Sequence, residues 1–209
     1  MRQAAKICFS VLGLSMVLSS AAIAANEGGY AGLGIGTSRL EYLDNLDIGY
    51  TYTKDTGGVG GRIFAGYNFN EYIGLESGFT TYANTTYNIN SYFVQSQIKS
   101  KLTALDVVVK GYLPVADSGF DLYALAGGAV VYSKLDVSAW NAYVSNYDSS
   151  TNTVLRPKFG LGVSYSLPST PIVASVEASR IFGQGNVNTD KNAVPNADMI
   201  SFNLAYSFN

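Results

Sequence analysis

Six ionisable residues carry whatever chemistry this chain can do inside a protein: Arg62, Glu76, Asp106, Lys110, Lys158 and Glu177. Around them the sequence is sparsely charged, with only 13 % Asp, Glu, Lys and Arg. Three cations and three anions set among Gly, Ala, Ser and aliphatic residues admit two readings. They could line a polar ion path with a gate, or they could pair with one another to fill an interior too narrow to hydrate freely. An unpaired buried charge costs several kcal/mol, so pairing is close to obligatory. The second reading, a structural charge network, is therefore preferred.

Other chemistry is excluded by residue type. The chain has no histidine and a single cysteine, Cys8. That removes Ser-His-Asp and Cys-His catalysis, histidine-based metal sites, cysteine zinc sites and any intramolecular disulfide. Asp44 and Asp47 form a carboxylate pair without a base and read as a solvated loop. Gly57-Gly58-Val59-Gly60-Gly61 lacks the Lys-Ser/Thr of a phosphate loop and opens a strand, not a helix. Asn84-Thr85-Thr86 matches a glycosylation acceptor only formally. With no basic run and a net charge of −2, no nucleic-acid partner is expected. The expectation is a non-enzyme with no cofactor and no bound metal.

The elements that must hold the six residues differ sharply from the first 25. Arg2 and Lys6 precede an apolar stretch from Ile7 to Ile23, and Ala22-Ile23-Ala24 has the small-x-small form of a signal-peptidase site. Residues 1–25 are read as a signal peptide cleaved after Ala24 or Ala25, leaving 26–209 as one domain of net charge −4. Beyond it no apolar run reaches the 18 residues of a membrane helix. Alternation with period two recurs instead, in eight segments near 29–38, 59–69, 72–82, 103–113, 120–132, 156–166, 172–181 and 198–208. Each has about the ten residues that a tilted strand needs to cross a bilayer. In the last, Ile200, Phe202, Leu204, Tyr206 and Phe208 alternate with small or polar residues. Arg62, Glu76, Asp106, Lys110 and Lys158 all fall on the small or polar face of their segments. Gly, Ala and Ser with isolated charges suit the filling of a narrow tube, and the large aromatic and branched face suits lipid. The fifth segment, from Phe120 to Tyr132, is apolar on both faces and does not declare its phase.

Connections alternate in length: 39–58, 83–102, 133–155 and 182–197 are long, whereas Asn70-Glu71, Pro114–Gly119 and Leu167–Pro171 are short. An up-and-down antiparallel barrel with one elaborate rim produces this rhythm. Aromatic residues gather near strand ends, at Tyr67, Phe69, Tyr72, Tyr82, Tyr112, Phe120, Phe182, Tyr206 and Phe208, as interfacial girdles require. The long connections hold further aromatics, of which Tyr92, Phe93, Trp140, Tyr143 and Tyr147 are candidate contacts for a host or matrix surface ligand.

Several runs resemble the OmpA-like transmembrane barrel family of Gram-negative outer membranes. They are Gly66-Tyr67-Asn68-Phe69-Asn70-Glu71-Tyr72-Ile73-Gly74-Leu75-Glu76, Lys110-Gly111-Tyr112-Leu113-Pro114, Leu122-Tyr123-Ala124, Gly160–Tyr165 and the aromatic end at Phe208. The resemblance implies short periplasmic turns, long external loops, contact with outer-membrane lipid and lipopolysaccharide, and insertion by the outer-membrane assembly machinery. That machinery would read the last strand through Tyr206 and Phe208. The chain departs from the family where Asn209 follows Phe208, where Leu125 replaces a basic residue, and where Ser164 and Ser175 replace charged ones. The peptidoglycan-binding domain that many relatives append is expected to be absent.

The expected fold is all-β: an eight-stranded antiparallel up-and-down transmembrane β-barrel in the outer membrane. The expected role is structural and surface-related, serving envelope integrity with possible adhesion through the external loops. A narrow channel is the alternative. A lipid-modifying enzyme is opposed by the missing histidine, and a lipocalin-like carrier requires an apolar interior and polar exterior.

Overall fold

The computed structural model describes residues 27–41, 52–55, 57–90, 95–140, 145–183 and 194–208. The proposed signal peptide lies outside them. Ten strands follow in chain order: β1 (Gly28–Glu41), β2 (Tyr52–Asp55), β3 (Gly57–Asn68), β4 (Ile73–Thr81), β5 (Thr85–Asn90), β6 (Gln95–Pro114), β7 (Phe120–Trp140), β8 (Ser145–Ser166), β9 (Ile172–Ile181) and β10 (Asn196–Ser207). Eight of them close a ring. β1 pairs with both β3 and β10, and the circuit runs β3–β4–β6–β7–β8–β9–β10, antiparallel throughout. Closure pairs every backbone N–H and C=O across a neighbour, which is what lets strands cross a bilayer at all. β2 and β5 add to the side of β6 beyond the ring.

All eight expected segments are strands. The alternation has the orientation that the charges require. Leu33, Ile63, Leu161 and Ile200 point outward and are about 60 % exposed or more, while Arg62, Glu76, Asp106, Lys158 and Glu177 are buried. The exterior is apolar and the middle of the interior polar, the inverse of a soluble carrier. The fifth segment acquires its phase here: Asp121, Tyr123, Leu125, Ala129 and Val131 face inward, and Leu122 faces outward. Its sequence is apolar on both sides because the lumen beside it is apolar.

Two expectations need correction. Residues 133–155 are not a structureless loop, since β7 runs on to Trp140 and β8 starts at Ser145, paired in register from Phe120↔Tyr165 to Trp140↔Ser145. Likewise, much of 83–102 belongs to β5 and β6. These stretches lack a lipid-facing apolar row, so they read as loop, but backbone pairing continues once the hairpin is under way. Second, not every strand-end aromatic belongs to a girdle. Tyr67, Phe69, Tyr72, Phe120, Phe182, Tyr206 and Phe208 are exposed on the outside, whereas Tyr82 is buried in the lumen and Tyr112 stacks against Tyr123 at 5.8 Å.

The short turns are built locally. Asn70 Oδ1 accepts hydrogen bonds from the backbone N–H groups of Tyr72 (2.8 Å) and Ile73 (2.9 Å), an Asx turn that closes β3 onto β4. A 3-10 turn (Ala116–Ser118) followed by Gly119 in the left-handed region (φ 75°) links β6 to β7.

Inside the tube, glycines sit directly opposite aromatic rings. Gly32 faces Phe64, Gly66 faces Tyr30, and Gly162 faces Tyr123 across their ladders. A Cβ on Gly162 would lie 2.3 Å from the Tyr123 ring. The ring lies flat over the vacant position, which fills the lumen and shields the backbone. Gly162→Val is expected to push Tyr123 aside and cost about 1–3 kcal/mol. Urea unfolding in lipid vesicles checks this, and a midpoint equal to the parent's would show that the ring is not held there.

Candidate functional site

The interior site is assembled from seven of the eight ring strands. Arg62 (β3) is its hub. Its Nη2 lies 2.6 Å from Glu76 Oε1 (β4) and 3.3 Å from Asp106 Oδ1 (β6), and its Nη1 lies 2.9 Å from Glu177 Oε1 (β9). Lys110 Nζ, also on β6, approaches Glu76 Oε2 at 2.9 Å. Lys158 Nζ (β8) approaches Asp106 Oδ2 at 2.8 Å. The structure therefore brings all six sequence-selected charges into one connected set, with three positive and three negative members.

Spacing along each strand explains why these residues meet. All six occupy inward phases of their strands, and neighbouring strands stagger around the ring. The Arg62–Glu177 bond crosses the lumen between residues 115 apart in sequence. No other side chain has a planar fork long enough to hold three carboxylates on different strands at once.

Two tyrosines complete the set, and sequence reading did not assign them this role. Tyr30 on β1 donates its hydroxyl to Glu76 Oε2 (2.9 Å), and Tyr123 on β7 donates to Glu177 Oε2 (3.2 Å). Tyr30 shares the phase of Gly32 and Gly34, a signal that would have placed it inside. Tyr123 carried no such signal, because its strand is apolar on both faces. Aromatic faces cover the cations as well: Arg62 Cζ lies 5.1 Å from the centre of Phe64, and Lys110 Nζ lies 4.3 Å from that of Tyr123.

The site is closed on its external side by an apolar cluster inside the tube. Leu40, Tyr82, Leu102, Val131, Ile181 and Met199 are all buried there, together with Ala104, Ala129, Val194 and Ala197. Below it Val108, Tyr123 and Leu125 form a second apolar contact beside Lys110. Toward the turn end lies a cavity of about 50 Å³ lined by Asn68, Asp121, Ser164 and Ser207 among others. Asp121 is a further buried carboxylate that the sequence did not single out, and its Oδ1 has no hydrogen-bond partner. Among the described residues no group of His, Cys, Asp and Glu is arranged to hold a metal ion.

The other selected residues fall elsewhere. Tyr206 and Phe208 point outward at the turn end with ring centres 5.4 Å apart, and the Phe208 N–H donates to the Gly29 carbonyl at 2.8 Å. The last residues of the chain are thus tied to the first strand, and the seam of the barrel is closed. Trp140 pairs in register with Gln95 and Ser145, and Tyr147 with Ser138, so both belong to strands and not to a loop. Tyr92, Phe93 and Tyr143 lie outside the described residues.

Known proteins place this architecture. The family described as outer membrane protein beta-barrel domain matches residues 9–208. An uncharacterized protein of Coxiella burnetii (strain RSA 493 / Nine Mile phase I) is 30 % identical over 212 residues, covering 86 % of this chain and 83 % of its own. Among solved structures, the outer membrane protein OprG of Pseudomonas aeruginosa superposes with a TM-score of 0.53 at 14 % identity, covering 90 % of this chain and 100 % of its own. Neisserial surface protein A superposes with a TM-score of 0.52 at 16 % identity, covering 87 % and 97 %. Closed ring, lipid-suited exterior, ion-paired interior and whole-length family match agree: the chain belongs to the outer membrane protein beta-barrel domain family and resides in the outer membrane.

Proposed function

We propose that the protein is a sealed structural barrel of the outer membrane that displays an extended hairpin sheet at the cell surface, with no enzymatic role. The observation that carries this reading is the neutral, fully interlocked set around Arg62, lying beneath the apolar cluster of Leu40, Leu102 and Met199. Two different barriers stand in series. An ion would have to break pairs that are almost wholly withdrawn from water, then cross a largely apolar stretch that offers it little beyond the hydroxyls of Ser38, Thr80 and Ser133. An eight-stranded ring has little room to bypass either, since its interior is about filled by side chains. On this reading the charges hold strands together across the lumen and serve envelope integrity.

Planar-bilayer recording tests the reading against the narrow channel. The parent protein is expected to give no discrete conductance steps. Regular single-channel steps from the parent would replace the sealed barrel with a channel.

Adhesion is supported by a separate observation. β6, β7 and β8 reach far past the end of β9, whose last pair to β8 is Lys158↔Ile181. The Phe182 N–H still donates to the Pro157 carbonyl, so residues 145–156 of β8 extend beyond the ring, carried on β7. This raised sheet, with Trp140 and Tyr147 on it, is the part of the described protein best placed to meet another surface. Deleting 136–153 is expected to lower attachment to host cells or matrix, and unchanged attachment would remove the idea.

A further inference from the structure

The buried charges of the tube are not balanced once Asp121 is counted. Arg62, Lys110 and Lys158 offset Glu76, Asp106 and Glu177, and each of those six has an opposite charge at 3.3 Å or closer. Asp121 is the seventh buried charged residue, 1 % exposed, and it stands in none of these pairs. Its Oδ1 is withdrawn from water and has no hydrogen-bond partner. One negative charge is thus left over among the buried described residues.

Strand pairing surrounds that charge with oxygen. Asp121 on β7 lies opposite Ser164 on β8, Ser164 opposite Ser175 on β9, and Ser175 opposite Asn203 on β10. All four share the inward phase of their strands, so they form one polar row around the turn end of the lumen. Asn203 Nδ2 donates to Ser175 Oγ at 3.4 Å, which fixes the far end of the row. One pleat nearer the turns, Ser166 on β8 repeats the inward phase, and its Oγ is also buried without a partner.

The enclosed space selects what fits it. Asp121, Ser164, Ser166, Ser175 and Ser207 line a cavity of about 50 Å³, in which Asp121 is the only acid and no histidine or cysteine takes part. A water needs roughly 10–15 Å³ on the same scale, so about three or four water-sized particles fit and an organic ligand does not. Carboxylate and hydroxyl oxygens are hard donors, suited to alkali and alkaline-earth ions and poorly suited to zinc or copper. Lys110, the one cation lining the cavity, is committed to Glu76 at 2.9 Å. Its charge disfavours a divalent ion beside it, whereas a single positive charge cancels the excess on Asp121.

We propose that the turn end of the lumen binds one partly hydrated sodium ion, with Asp121 as its carboxylate ligand and the Ser164 and Ser166 hydroxyls as neutral ones. Waters alone would hydrogen-bond these oxygens but leave the charge, and an uncompensated buried charge is strongly destabilising. The cation arrives from the turn side, because the apolar cluster around Leu40 and Met199 fills the other end of the tube. Once bound, it ties the start of β7 to the end of β8. The assignment does not depend on whether the lumen conducts.

The test uses the full barrel folded in phosphatidylcholine vesicles at neutral pH, with urea unfolding followed as sodium chloride replaces N-methyl-D-glucamine chloride at constant ionic strength. Raising sodium from about 1 mM to about 100 mM is expected to raise the folded-to-unfolded ratio about tenfold, as one site with a dissociation constant of about 10 mM requires. Asp121→Asn keeps the side chain's size and removes its charge, and its ratio is expected to change less than about twofold over the same range. Ser166→Ala keeps the carboxylate and is expected to need about threefold more sodium for the same gain, so the proposal stays testable if Asp121→Asn does not fold. Magnesium at equal ionic strength is expected to give the parent no larger gain than sodium. A parent ratio indifferent to sodium would mean that a proton or water alone satisfies Asp121 and would overturn the assignment. A sodium response left unshifted in either variant, or a larger gain from magnesium, would overturn it equally.

Discussion

Arg62→Met is expected to cost the folded barrel at least about 3 kcal/mol, because it removes the one cation shared by three buried carboxylates. Glu177 would then keep only the Tyr123 hydroxyl, while Glu76 would retain Lys110 and Asp106 would retain Lys158. Burial makes the loss large: an exposed pair of the same geometry would contribute about 1 kcal/mol or less. Urea titration in lipid vesicles, followed by circular dichroism and by the mobility of the unboiled band, measures it. A double-mutant cycle on Glu76→Gln and Lys110→Met separates pairing from packing. Glu76→Gln leaves Lys110 without its carboxylate, and Lys110→Met leaves Glu76 to Arg62 and Tyr30 alone, so the pair together should cost less than the two singles added. Singles and double all as stable as the parent would show that the interior charges are not held by one another.

A lysine introduced at Val107 or Leu204 is expected to destabilise the barrel by about 2–4 kcal/mol, and one at Thr37 by about 1 kcal/mol or less. Val107 and Leu204 are exposed, apolar and mid-strand, whereas Thr37 lies near the hairpin end of β1. The contrast depends on lipid. In water an exposed valine-to-lysine change on a sheet surface would be worth a few tenths of a kcal/mol. Here the charged headgroup must reach across half the apolar band before it is hydrated. Unfolding free energies of the three variants in the same vesicles give the depth profile. A flat profile would mean that this face does not meet lipid. Spin labels at the same positions give an independent check, since they should be open to oxygen and shielded from a water-borne quencher.

The fold was largely legible because a bilayer enforces a strict period of two on the outer face. Ile200, Phe202, Leu204, Tyr206 and Phe208 declare their strand without reference to any other part of the chain. The charges then orient the sheet, since Arg62 and Lys158 cannot face lipid and must face one another. Legibility failed where that rule stops acting. β7 hid its phase because Leu125, Ala129 and Val131 face an apolar stretch of lumen. The upper halves of β7 and β8 read as loop because their sequence carries no row of large apolar residues at outward positions, and their pairing comes from backbone bonds that any polar sequence can make.

Side-chain type and spacing by themselves determined the eight strands of the ring, which face of most of them meets the membrane, and six of the charges that lie within. They could do so because burial in lipid is decided residue by residue. Only the closed tertiary structure decided the partners. Arg62 meets Glu177 because ring closure sets β9 across the lumen from β3. Tyr30 and Tyr123 become donors, and the external end of the lumen becomes apolar, for the same reason. Contacts across a tube depend on stagger and diameter, which belong to all eight strands together and are written in none of them.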